Sequence, residues 1–188
     1  MPRLGGPAIE SATYDTRIYS HASTDPENSL PTAGGIVRIR APMQTAYEAA
    51  VDFKNIYQLN PYIETSAVVG IEGDATDVYI RVPTVINAYV WAVVRFRPVH
   101  VDGGGWACKG EMIDGNLDDL RIFWRLVPNG PNETLGQLEL LADPALPLPR
   151  SWVTRDTKDG VHIMLERFRY KVEARSPHAI PADFTGDE

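Results

Sequence analysis

Cysteine is nearly absent: the 188-residue sequence has one, Cys108. An internal disulfide and a cysteine metal cluster are therefore excluded. Cys108 falls on the apolar side of a predicted strand, which marks it as a small buried hydrophobe rather than a nucleophile. Long hydrophobic runs are missing too. No stretch approaches the ~20 apolar residues of a membrane span, and Met1 to Gly6 lacks the apolar segment of a secretory signal. A cytoplasmic location, with at most transient membrane contact, is the default expectation. Positive charge is in deficit, with 18 Lys and Arg against 25 Asp and Glu and a formal net charge of -7. That balance argues against nucleic acid, whose phosphates demand clustered cations.

Recognisable catalytic constellations are scarce as well. The four histidines, His21, His100, His162 and His178, lie far apart without an i,i+4 or cysteine partner, so no metal site is expected. Gly103-Gly104-Gly105 lies between two strands and opens no helix, so it lacks the dinucleotide context, and no cofactor is expected. The acid pairs Asp118-Asp119 and Glu72/Asp74 fall in turns, where carboxylates are commonplace. No catalytic residue is assigned.

What the chain has in quantity is alternation. Val78, Ile80 and Val82 alternate with Tyr79 and Arg81; Val90, Ala92, Val94 and Phe96 alternate with Trp91, Val93 and Arg95. Leu120, Ile122, Trp124 and Leu126 alternate with Arg121, Phe123 and Arg125, and Leu138 and Leu140 with Gln137 and Glu139. This is an antiparallel sheet with one dry and one wet face, of about six or seven strands. The arginines and acids of the wet face predict cross-strand charge pairs. Thr134 and Asp114 are the main polar side chains on the apolar side.

Residues 1–33, rich in Gly, Pro, Ser, Thr and Asp, read as an irregular N-terminal arm. Ile36–Arg40 reads as a first strand. Two short helices follow, one from Pro42 to about Phe53, the second around Ile56 and Leu59 and stopped by Asn60-Pro61. The prolines from Pro144 to Pro149 then break all periodicity. Behind the candidate N-cap Ser151, a long amphipathic helix over 152–174 puts Thr154, Thr157, Val161, Met164, Leu165, Phe168 and Val172 on one face. Gly160 is its weak spot. Trp152, Ile163 and Tyr170 form a second stripe, which asks for cover from Ile9, Tyr14, Ile18 and Tyr19 of the arm or from a second subunit in a homodimer. Ser176 to Glu188 reads as a loose tail.

This order gives an α+β domain in which a curved sheet wraps one long C-terminal helix. Ile39-Arg40-Ala41-Pro42 with Tyr47-Glu48-Ala49-Ala50-Val51-Asp52-Phe53 resembles the first strand and helix of the SRPBCC superfamily. Asn60-Pro61-Tyr62-Ile63 resembles the segment after its second helix. Phe123 to Pro128 and Leu146 to Val153 resemble the last strands and the start of the long helix in START-like members. The superfamily includes START lipid-transfer domains, polyketide cyclase/aromatases, ubiquinone-binding chaperones and birch-pollen-allergen-like proteins. The resemblance covers residues 34–175 and implies a helix-grip fold with a pocket, but not a reaction.

The expected partner is a hydrophobic small molecule, such as a lipid, sterol, isoprenoid quinone or polyketide, bound or transferred in a cavity between sheet and helix. The alternative is a polyketide cyclase, aromatase or dehydrase using the same cavity. The residues expected to line it are Val90, Val94, Phe96, Met112, Trp124, Leu138, Met164 and Phe168, with access past Pro61–Thr65, Gly103–Gly105 and Leu146–Pro149. An enzyme's cavity should hold two or more polar groups in mutual reach, and a carrier's should be almost wholly apolar.

Overall fold

The alternating segments form one curved antiparallel sheet of eight strands, in the order β1-β2-β8-β7-β6-β5-β4-β3. The structure is a computed structural model that describes residues 16–22, 30–83, 89–144 and 150–176. Its strands are β1 (Thr16–His21), β2 (Thr32–Ile39), β3 (Thr65–Glu72), β4 (Ala75–Pro83), β5 (Tyr89–Val99), β6 (Trp106–Gly115), β7 (Asp119–Pro128) and β8 (Thr134–Asp143). Helix α1 (Met43–Ala50) and a 3₁₀ helix (Phe53–Gln58) separate β2 from β3, and α2 (Arg150–Glu173) ends the fold. The strand count exceeds the expectation because β1 lies in the segment read as an irregular arm. Its composition hides a strand whose support comes from pairing with β2.

Register stacks the apolar residues across the concave face. Val78 opposes Val94 and Ile80 opposes Ala92 between β4 and β5, while Ile122 opposes Leu140 and Trp124 opposes Leu138 between β7 and β8. α2 covers the β1, β2 and β8 side of this face. Val161, Leu165, Phe168 and Val172 are fully buried there, each contributing on the order of 2 kcal/mol by removal from water. Phe168 meets Trp124 with ring centroids 5.0 Å apart. The outer face carries the expected charge pairs, including a two-pronged Arg95–Asp77 contact at 2.7 Å and Arg81–Glu64 at 3.0 Å.

Two adjacent glycines let β2 be sandwiched. A Cβ on Gly35 would stand 2.5 Å from Leu165 Cδ1 and 2.7 Å from Ile18 Cδ1, so its absence admits α2 and β1 on the inner face. A Cβ on Gly34 would stand 2.4 Å from the Tyr19 ring, which crosses the outer face there to donate a hydrogen bond to Glu139 at 2.8 Å. Glu139 and Gln137, read as wet-face residues, are therefore buried. Ile18 and Tyr19 are engaged at these contacts, while Trp152 and Tyr170 remain 56% and 63% exposed, so these two arm residues do not cover the helix stripe. Ile9 and Tyr14 lie outside the described residues.

Candidate ligand-binding cavity

The sheet is wider than the helix it grips. Beyond α2's footprint, strands β4 to β7 curve over the 3₁₀ helix without meeting it fully, leaving a cavity of about 180 Å³. Its sheet wall includes Ile80, Val82, Val90, Ala92, Phe96, Ile122, Trp124 and Leu140. Phe53, Ile56, Leu59, Asn60 and Ile63 close the opposite side, and Met164 of α2 forms the floor. None of the described lining residues is charged. Among the described lining residues, the only side chains with nitrogen or oxygen besides Asn60 are Trp91 and Trp124, and the Trp91 ring lies on the outer face beside Tyr79.

The 3₁₀ helix is held in place from both ends. Asn55 and Lys171 hydrogen-bond to Asp52 at 2.8 and 3.3 Å, the second tying the segment to α2. Burial opposes the Asp52 charge, but these two donors outweigh it and hold the carboxyl below its usual range. At the other end the Asn60 carboxamide oxygen accepts from the Tyr62 backbone N–H at 2.9 Å, and Ile63 N–H donates to the Asn60 carbonyl at 3.0 Å. The fixed φ of Pro61 sits inside this turn.

Of the eight residues expected to line the cavity, the structure brings four to its walls: Val90, Phe96, Trp124 and Met164. Val94, Leu138 and Phe168 are fully buried in the packed core, and Met112 packs against that core. The correction has one cause. Alternation gives the face a residue is on, but not whether the opposite layer fills the space above it. Asp114 is also corrected. A bulge between Val93 and Val94 adds Ile113 to β6, which moves Asp114 to the outer face opposite Val93. Thr134 is buried but donates to the Ala41 carbonyl at 2.9 Å, away from the cavity. The Gly103–Gly105 loop joins the far ends of β5 and β6 and does not line it, and 145–149 lies outside the described residues.

Sequence reasoning missed the 3₁₀ side of the cavity. Phe53, Ile56, Leu59 and Ile63 are apolar residues in a short segment that has to pack against something, and that was the available signal. A second pocket of about 380 Å³ lies on the other side of Phe53, with Tyr47, Asp74, Thr76, Arg97, Trp106 and Cys108 among its residues. Burial pushes the Cys108 thiol up to about 12, so it stays protonated and unreactive near neutral pH.

No protein-family model and no curated protein matches the chain. Solved structures do. The STAR-related lipid transfer protein fragment from Xanthomonas axonopodis is similar at 14% identity and a TM-score of 0.71, over 84% of this chain and 93% of that one. The lipid transfer and protein localization domain of human StarD13 matches at 12% identity and a TM-score of 0.68, over 86% of each chain. The Zhui aromatase/cyclase from Streptomyces sp. R1128 matches at 13% identity and a TM-score of 0.53, over 85% of this chain and 95% of that one. These likenesses and the sheet gripping α2 show that the chain has the START-like helix-grip fold.

Proposed function

We propose that this protein binds and carries a hydrophobic small molecule in the cavity between the sheet and the α2 and 3₁₀ helices. One observation carries the reading: a preformed space whose described walls are apolar on every side, with Asn60 as the one carboxamide. Removing an apolar molecule from water gains about 0.8 kcal/mol per buried methylene, so such walls retain a ligand without ionic anchors. Structural neighbours include lipid-transfer domains, which supports carriage. The cyclase alternative rests on the fold of the aromatase/cyclase neighbour. It asks for an acid or base positioned on the substrate, and the described lining residues include no Asp, Glu, His, Lys or Tyr.

The test is native mass spectrometry of gently purified protein, wild type and Met164→Trp. The reading predicts a non-covalent adduct in the wild type that is lost on denaturation and depleted in the variant, whose indole fills the cavity floor. An adduct retained at equal occupancy by a folded Met164→Trp variant would place the ligand elsewhere.

A further inference from the structure

The size and the polarity of the cavity together narrow its ligand further than fold likeness does. A cavity of about 150 Å³ lined by aliphatic and aromatic side chains admits benzene and stays dry without it. At about 180 Å³, this one suits a molecule slightly larger than a single ring. A sterol's four rings or a diacyl lipid exceeds that volume and would have to project through the cavity's open side. The absence of a charged side chain among its described lining residues bars an ionised headgroup, since a buried carboxylate without a cation loses its hydration for nothing. Lys171 is paired with Asp52 at 3.3 Å, Arg167 meets the Gln58 carbonyl at 3.5 Å, and Lys54 of the 3₁₀ helix is exposed and not among the described lining residues.

The remaining polarity has a direction. The Asn60 carboxamide is oriented by its turn, because a backbone N–H at Tyr62 needs an acceptor and so fixes the oxygen on that side. Its Nδ2 group has no hydrogen-bond partner among the described residues. It lies 4.0 Å from where a Cβ on Gly160 would stand, one helical turn before Met164 on the α2 surface. The indole of Trp124 is a donor only, and the Trp91 ring lies on the outer face beside Tyr79. With the Asn60 oxygen occupied, every polar side-chain group left on the described lining residues is a donor.

We infer that the cavity takes a compact, uncharged molecule of about two fused rings bearing a carbonyl-type acceptor, and that Asn60 Nδ2 donates to that acceptor. The inference rests on the apolar-ligand reading above and adds size, charge and hydrogen-bond sense to it. Asn60 is thereby a specificity residue. It leaves the affinity for the hydrocarbon part alone and selects what that part carries.

Three naphthalene probes of similar shape test it by calorimetric titration at neutral pH: 2-acetylnaphthalene, 2-ethylnaphthalene and 2-naphthoate. The acetyl probe is expected to bind about fivefold more tightly than the ethyl probe, the discrimination one net hydrogen bond supplies. 2-Naphthoate should bind at least about tenfold more weakly than the acetyl probe. Asn60→Asp keeps an oxygen for the Tyr62 N–H but replaces the donor with an acceptor, and Asn60→Leu removes both. In each variant the acetyl-to-ethyl ratio should fall to about one or below. The ratio is read within one protein, so a general loss of affinity cancels. Equal binding of the acetyl and ethyl probes by the wild type, or a ratio that survives Asn60→Asp, would overturn the role of Asn60. Tight binding of 2-naphthoate would overturn the uncharged ligand. Failure of the wild type to bind even 2-ethylnaphthalene would instead strike the apolar-ligand reading itself.

Discussion

Phe53 of the 3₁₀ helix stacks on Phe96 of β5, with ring centroids 4.7 Å apart and planes 20° apart. Both rings border the apolar cavity and both border the larger, more polar pocket beside it. The stacked pair is thus the partition between the two. Its position keeps the two spaces separate. Phe53 belongs to a two-turn 3₁₀ segment fixed by the Asp52–Lys171 contact, whereas Phe96 is 3% exposed in mid-sheet, so Phe53 is the removable half.

Phe53→Ala should therefore join the two spaces. The variant is expected to bind pyrene, a four-ring probe the wild type rejects, at a stability cost of about 2–3 kcal/mol for a partly buried ring. Fluorescence titration with pyrene, alongside urea unfolding, checks both numbers. A folded variant that still excludes pyrene would show that the partition lies elsewhere.

Gly160 offers a change in the opposite direction. It lies inside α2, where glycine costs about 1 kcal/mol relative to alanine. An added Cβ would meet only Asn60 Nδ2, at an ordinary 4.0 Å. Gly160→Ala should raise the urea midpoint by an amount equivalent to about 0.5–1 kcal/mol. A loss of stability would mean that the helix at this point needs the space.

Tyr19 carries the pH-dependent contact of the described N-terminal segment. Burial, reinforced by the Glu139 charge, raises its phenol well above the ordinary 10.0, although the Gln137 hydrogen bond works the other way. The folded state thus favours the neutral phenol. Its contribution is fully present below pH 10 and is lost as the pH rises beyond that. Tyr19→Phe should cost about 1–3 kcal/mol near neutrality by leaving buried Glu139 short of a donor. Wild type and variant should converge in urea unfolding between about pH 8 and about pH 11. An unchanged gap across that range would remove Tyr19 from the titration.

How far the sequence went is clearest at three places. The strands from β4 to β8 were legible because Val78, Val94, Trp124 and Leu138 keep a period of two, and α2 because Val161, Leu165, Phe168 and Val172 keep a helical one. β1 was not, since Thr16 to His21 lacks a sustained pattern and nothing in its composition names β2 as its pairing partner. The cavity was half legible. Period told that Val94 and Phe96 share a face, but only the position of the 3₁₀ helix decides that Phe96 borders open space while Val94 is packed over. Asn60 was read as a breaker beside Pro61. Its second property, an amide donor without a partner among the described residues, depends on which way the turn at Tyr62 holds it.

Met164 permits the most direct test of the central claim, that an apolar molecule is held between sheet and helices. The chain has four methionines, Met1, Met43, Met112 and Met164, and among the described residues Met164 alone of them borders the cavity. In protein labelled with ¹³C at the methionine methyls, titration with 2-acetylnaphthalene should shift the Met164 resonance by ring current, to saturation, while Met43 stays in place. A Met164 resonance unmoved by a probe that demonstrably binds, or a shift confined to another methionine, would contradict the account.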